Sequence, residues 1–135
     1  MTSRCEFDRH PAGDVVRARI IGRVTDEALR QYHVLVTQFL DRGQPRAFIL
    51  DLSGVERGSD VSIATVREVA AMPPALRDPS RPRVIVAPPG VPFGLARMYQ
   101  TLSDRTRPLL EVVGTMAAAC AMLGITEGGF EPITK

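Results

Sequence analysis

The residues best equipped for chemistry lie between Asp51 and Ser62, in the stretch DLSGVERGSDVS. Asp51, Glu56 and Asp60 supply carboxylates there, and Ser53, Ser59 and Ser62 supply hydroxyls. Acids gathered near one strand end suit metal binding or acid–base work. No histidine accompanies them, so Asp51 is better read as fixing the loop through backbone amides. The span from Gly54 to Ser62 also leads into a helical pattern. A helix start presents free N–H groups to an anion or a partner, here joined by the Ser59 and Ser62 hydroxyls. The plainer reading is that Ser59 or Asp60 caps that helix, and the Asp60 carboxylate would compete with an anion for the same amides. The expected site is therefore a partner-facing, regulatory loop made of Ser53, Gly54, Glu56, Arg57, Ser59, Asp60 and Ser62.

A second loop, Ala87-Pro88-Pro89-Gly90-Val91-Pro92-Phe93-Gly94, also precedes a helix. It lacks the Gly-Lys-Ser/Thr of a P-loop and the GxGxxG of a dinucleotide fold. A rigid proline turn feeding a helix at Pro92 explains it economically. With the helix that follows, it can also line an apolar ligand cleft, for which Pro89, Gly90, Phe93, Gly94, Met98 and Tyr99 are the candidates, beside Leu95. Catalytic constellations are missing. His10 falls in a turn and His33 on a helix, and Ser53 has no Gly-x-Ser-x-Gly elbow around it. Cys5 and Cys120 are far apart without CxxC spacing, which points to neither zinc nor redox chemistry. Cys120 reads as a small core residue. No catalytic residue, metal ligand or cofactor is expected.

These loops must be held by strands and helices whose patterns are readable. Cys5 to Asp8 is a thin first strand, and Val15 to Ile21 alternates with period two. The Pro and Gly of His10-Pro11-Ala12-Gly13-Asp14 make the pair a hairpin. Thr25 caps a helix from Asp26 to about Arg42, with Asp26 and Glu27 in its first turn. Leu29, Tyr32, Val36 and Phe39 or Leu40 share its face, and Gly43 stops it. Ala47 to Leu52 is a buried strand. A second helix, about Asp60 to Ala71, aligns Ile63, Val66 and Ala70 and ends before Pro73-Pro74. Val84 to Ala87 is a short strand. Leu95, Met98, Tyr99 and Leu102 mark a third helix, Leu109 to Val113 a last strand, and Thr115 caps a helix through Leu123. Gly124-Ile125 fits a Schellman ending.

Alternating strands and helices predict an α/β fold with a mixed, mostly parallel sheet of about four to five strands and about four helices. A chain of 135 residues forms one domain, expected over residues 1–125, with 126–135 as a flexible C-terminal tail. The hydrophobic fraction is 44% and the charged fraction 24%, which places the chain among globular proteins. No apolar run approaches the roughly 20 residues of a membrane span, and MTSRCEFDRH carries no apolar leader. A cytoplasmic location without membrane attachment is expected. A formal net charge of +2 provides no field for steering nucleic acid. Lys135 is the single lysine among 17 basic residues, and the arginines interleave with acids along the chain.

The order of elements is similar to that of the STAS domain, the fold of bacterial anti-sigma factor antagonists. Ile20-Ile21-Gly22-Arg23-Val24-Thr25 resembles that family's strand ending in a Gly-Arg-Leu-Thr-type turn. Phe48 to Ala64 resembles its strand followed by Asp-Leu-Ser-Gly-Val and a serine-bearing helix start. The topology is matched over roughly residues 13 to 124. Phe93-Gly94-Leu95-Ala96-Arg97-Met98 and the stretch from Val112-Val113 to Leu123 look more like small single-domain relatives of the fold, which are distantly allied to lipid-carrying CRAL-TRIO domains. In phospho-switched members the loop reads Asp-Ser-Ser-Gly or Asp-Ser-Thr-Gly, and a partner kinase phosphorylates its third residue. Laid on this chain without gaps, that tetrad falls on Ser59-Asp60-Val61-Ser62. Val61 has no hydroxyl, so the usual phosphoacceptor is missing and Ser59 and Ser62 remain as shifted acceptors.

Three functional expectations follow. The first is a non-catalytic regulatory module that binds an unidentified protein partner through the Ser53–Ser62 loop and the second helix. The alternative is a carrier of a small or lipid-like ligand, for which a cavity large enough to hold one is the discriminating observation. The third is homodimerisation through a sheet edge or the second helix.

Overall fold

The computed structural model describes residues 2–57 and 59–133. It begins with the expected hairpin, longer at both ends: strand β1 (Ser3–His10) pairs antiparallel with β2 (Val15–Gly22). Asp14 turns the chain at φ 52°, a left-handed conformation that Asp tolerates better than most residues. Helix α1 (Asp26–Asp41) starts at the Thr25 cap, whose hydroxyl accepts from the Ala28 N–H at 3.2 Å. Strand β3 (Ala47–Val55), helix α2 (Ile63–Ala71), strand β4 (Arg83–Val86), helix α3 (Val91–Leu102), strand β5 (Leu110–Val113) and helix α4 (Met116–Leu123) follow. A 3₁₀ turn (Glu127–Gly129) leads to a short strand β6 (Glu131–Pro132).

Among the described residues the fold is α/β, with four helices and a mixed six-stranded sheet ordered β5-β4-β3-β2-β1-β6. Strands β2 to β5 run parallel, and β1 pairs antiparallel on both sides. Each parallel strand lies beside the previous one in the same direction across the sheet. Right-handed crossovers therefore put α1, α2 and α3 on one face. Packing agrees with that rule. Val36 and Leu40 of α1 join Val16 and Ala18 of β2 on this face, and Ala96 of α3 joins Ile85 and Leu110. Helix α4 covers the opposite face, where Ala119 and Leu123 pack on Val15, Ile49, Val84 and Val86.

Between Arg19 and Ile21 the β2–β3 register slips: Arg19 faces Asp51, but Ile21 faces Gly54. Leu52 and Ser53 thus oppose the single residue Ile20, which is a β-bulge in β3. The buried Asp51 carboxylate holds it by accepting from the Ser53 N–H at 3.0 Å and the Ser53 hydroxyl at 2.6 Å. Gly54 is suited to the close approach that follows, since a Cβ there would sit 3.1 Å from Ile21 Cγ1. The strand therefore continues past Leu52, its expected end, as far as Val55.

Helix α2 corrects the expected start at Asp60. Asp60 instead bridges to Thr25 and donates its N–H to the Val24 carbonyl at 2.8 Å, which keeps it extended. The helix begins at Ile63, and its cap is Ser62, not Ser59 or Asp60: the Ser62 hydroxyl accepts from the Thr65 N–H at 3.2 Å. Ile63 and Leu102, expected on buried stripes, are 55% and 44% exposed, while Val69 and Ala96 take the inward positions. The tail is also corrected over residues 126–133. Its Ile133 N–H bonds to the Phe7 carbonyl at 2.9 Å, and Phe130 packs against the cluster under α4. Thr134 and Lys135 lie outside the described residues. The Schellman ending is present as expected, with Gly124 at φ 68° and the Ile125 N–H bonded to the Cys120 carbonyl at 3.0 Å. Cys120 is buried in α4, and Cys5 packs with the cluster on the other face.

Candidate functional site

The helix layer of α1, α2 and α3 does not close down on the sheet. Between them lies a cavity of about 650 Å³, inside the roughly 300–1,000 Å³ range of small-molecule sites. Alternation along the strands builds its floor: Phe48, Leu50 and Leu52 of β3 point to this face, with Ile85 of β4 and Leu110 of β5. The roof is one stripe from each helix: Leu29, Tyr32 and Val36 of α1, Val66 and Val69 of α2, and Leu95, Ala96 and Tyr99 of α3.

Exposure locates the mouth. Among the described residues the exposed lining ones are Ser53, Glu56, Arg57, Pro89, Gly90 and Val91. All of them sit at or beyond the C-terminal ends of β3 and β4, where ligand sites of open α/β sheets form. The far end is closed by Leu76, Arg83 and Arg107, each 5% exposed or less. Arg83 opens β4 and Pro89 lies beyond its end, so mouth and closed end are on the order of 15–20 Å apart at about 3.3 Å per residue.

The closed end carries the charge. Arg83 donates to the carbonyls of Leu76 at 2.6 Å, Asp78 at 2.6 Å and Arg81 at 2.9 Å, and so folds the 76–81 loop around itself. Arg107 donates to the carbonyls of Ala70 at 3.1 Å and Met72 at 3.0 Å, and to the Thr106 hydroxyl at 3.0 Å. It thereby satisfies the C-terminal end of α2, where a cation is favoured. Its guanidinium also lies 5.1 Å from the centre of the Tyr99 ring. Burial weakens Arg83's hold on its proton, Arg107 adds to the effect, and Tyr99 and Asp78 oppose it. Burial pushes the Tyr99 phenol up, while Arg107 and Arg83 pull it down. His33 faces the same space. Burial and then Arg107 lower its pKa, against a hydrogen bond with the Pro73 carbonyl that raises it.

The two site expectations meet at the mouth, apart from Tyr99, which stands beside Arg107 at the closed end. From the predicted loop, Ser53, Glu56, Arg57 and Ser59 line the cavity, and from the predicted cleft, Pro89, Gly90 and Tyr99 do. Gly54 is taken up by the bulge, and Asp60 by its bridge to Thr25. Phe93 packs with the α3 cluster, Gly94 is exposed on α3, and Met98 is half-buried outside the lining. Both shifted serines have fixed roles. The Ser59 hydroxyl donates to the Glu56 carbonyl at 2.8 Å and accepts from the Val24 N–H at 3.0 Å. Ser62 donates its N–H and hydroxyl to the Asp26 carboxylate at 2.7 and 3.0 Å.

Sequence reasoning missed the arginines at the closed end. For Arg83 the available signal was an arginine opening an otherwise apolar strand, Arg83-Val84-Ile85-Val86. His10 is also displaced from its expected turn: it ends β1, 4% exposed, on the α4 face. Its Nδ1 accepts from the Gly13 N–H at 3.1 Å, so Nε2 carries the proton donated to the Thr126 carbonyl at 3.0 Å. Among the described residues no group of three or more His, Cys, Asp or Glu is placed to hold a metal ion, and no helix is long and apolar enough to cross a membrane. No protein-family model matches this chain, and no curated protein matches it.

Proposed function

We infer that this chain is a non-catalytic binding module that holds one small, mainly apolar molecule between its helix layer and its sheet. The cavity of about 650 Å³, lined mainly by apolar residues and exposed at one end, carries this reading. The arrangement of polar groups supports binding over chemistry. Glu56, the one carboxylate among the described lining residues, belongs to the mouth, while His33 lies near Arg107 at the closed end. A neutral solvatochromic dye such as Nile red is the test. The protein is expected to bind it saturably at one site, and Ala96→Phe, which fills the cavity from α3, is expected to abolish binding while the melting transition stays cooperative. Absence of saturable binding to the unsubstituted protein would overturn the reading.

One observation favours a second reading, a regulatory module that docks a protein partner on the same end. Ile63 and Val91, the first residues of α2 and α3, are 55% and 73% exposed, and both follow loops that line the mouth. Native mass spectrometry of the protein from its source cells discriminates between the readings. A stoichiometric protein partner or a phosphate on Ser59 or Ser62 favours the module, and a bound small molecule favours the carrier.

A further inference from the structure

We propose that the molecule held in the cavity is an amphipathic carboxylate, with its anionic head on Arg107 and Arg83 and its apolar body extending toward the mouth. The proposal rests on the ligand-binding reading above and specifies the ligand class. Arg83 and Arg107 are 5% and 4% exposed, both line the cavity, and among the described residues neither has an ion pair. The carboxylate nearest in influence is that of Asp78, which acts on Arg83 from a distance while accepting from the Ser80 N–H and hydroxyl. Buried cations are normally paired, because an unneutralised charge in an apolar surrounding is costly. Here two of them line the closed end of one apolar space, near enough for Arg107 to act on the charge of Arg83.

The unused donors fit a carboxylate. A guanidinium has five N–H groups. Arg107 commits both Nη1 protons and one on Nη2, which leaves its Nε–H and one Nη2–H. Arg83 commits its Nε–H, one Nη1–H and both Nη2 protons, which leaves one Nη1–H. Among the described residues, three uncommitted donors on two cations match the two oxygens of a monoanion, and guanidinium–carboxylate bonds are among the strong charge-assisted kind. The apolar floor of Leu50, Leu52 and Ile85 then suits an aliphatic or aromatic body.

Dodecanoate and dodecanol, used below their aggregation limits, share a chain and differ in the head, so calorimetric titration of both separates the two levels of the argument. Dodecanoate is expected to bind about tenfold or more tightly than dodecanol, equivalent to one charge-assisted contact. Equal affinities would overturn the carboxylate assignment while leaving the cavity reading intact, and failure of both to bind would overturn both. Arg107→Gln is expected to lose the preference for dodecanoate while keeping dodecanol affinity, and Arg107→Lys to keep part of it. Because Arg107 also holds the end of α2, a measurement on the unsubstituted protein accompanies the variants. Carboxyl-labelled dodecanoate followed by carbon NMR is expected to stay ionised, when bound, to lower pH than the free acid. A bound carboxyl group that titrates at or above the free value would overturn the proposal.

Discussion

His33 faces the cavity and senses Arg107, and its lowered pKa has a consequence for stability. In the folded chain the neutral ring is favoured, while the unfolded chain binds the proton at about the ordinary value of 6.5. Above that pH His33 does not oppose folding. As pH falls from 6.5 through the folded value, the unfolded state takes up more protons and stability declines. Melting temperature should therefore drop on acidification below about pH 6.5, and His33→Gln, which keeps a donor for the Pro73 carbonyl, should flatten that part of the profile. A variant profile parallel to the original would refute the assignment. Asp51 acts at the same scale, through one bulge. Asp51→Ala leaves the Ser53 N–H and hydroxyl without their partner and should cost about 1–3 kcal/mol in urea unfolding, whereas a solvated loop acid would give little change. Asp51 as a loop-fixing residue was legible from its place before Ser53-Gly54. Arg107 was not, because nothing local distinguishes it from the many solvated arginines in this chain, and Arg83 was marked only by the apolar run Val84-Ile85-Val86 that follows it.

Elements were legible where their signals are local and obscure where a distant residue decides. The ending of α4 needs only Gly124 in a left-handed conformation and Ile125 on the core, both inside one short stretch. The start of α2 depends on α1 instead. The Asp26 carboxylate takes the Ser62 N–H and hydroxyl, and the Thr25–Asp60 bridge holds the preceding residues extended. A serine and an aspartate earlier in the loop offered equally good caps, and only the tertiary pairing chooses among them. Ser62→Ala removes the cap of α2 and should cost about 1 kcal/mol, read from denaturant unfolding. Ser59→Ala tests the other candidate, and because its hydroxyl bridges Glu56 and Val24 it should loosen the mouth without shortening α2. Hydrogen exchange at the Thr65 amide separates the two: it should quicken in Ser62→Ala and not in Ser59→Ala.

At the scale of the whole molecule the two sheet faces are treated unequally. One carries three helices and the cavity, whereas α4 covers the other face only over the parallel strands. The outer part of that second face is a ladder of charge. Arg17 and Arg19 of β2 converge on the buried Asp8 carboxylate at 2.8 and 2.9 Å, and Arg19 also reaches Glu6 at 3.1 Å. The Arg19 Nε lies close to Asp8 without a well-aligned hydrogen bond, so that contact is electrostatic. Residues 126–133 partly close this gap. Phe130 sits 4.1 Å beneath the Arg17 guanidinium and edge-on to His10, and Ile133 turns around β1 to join the cluster on the far face. The two glycines and one proline of this segment resemble a loose tail by composition, and its order comes from partners more than a hundred positions earlier in the chain. Phe130→Ala should therefore destabilise the domain by about 1–2 kcal/mol from lost apolar burial and ring contacts. A double-mutant cycle with Arg17→Ala should show a coupling of about 0.5–1 kcal/mol. An unchanged unfolding midpoint in Phe130→Ala would return these residues to the status of a passive tail, and the edge beyond β1 would then have to be protected by its charges alone.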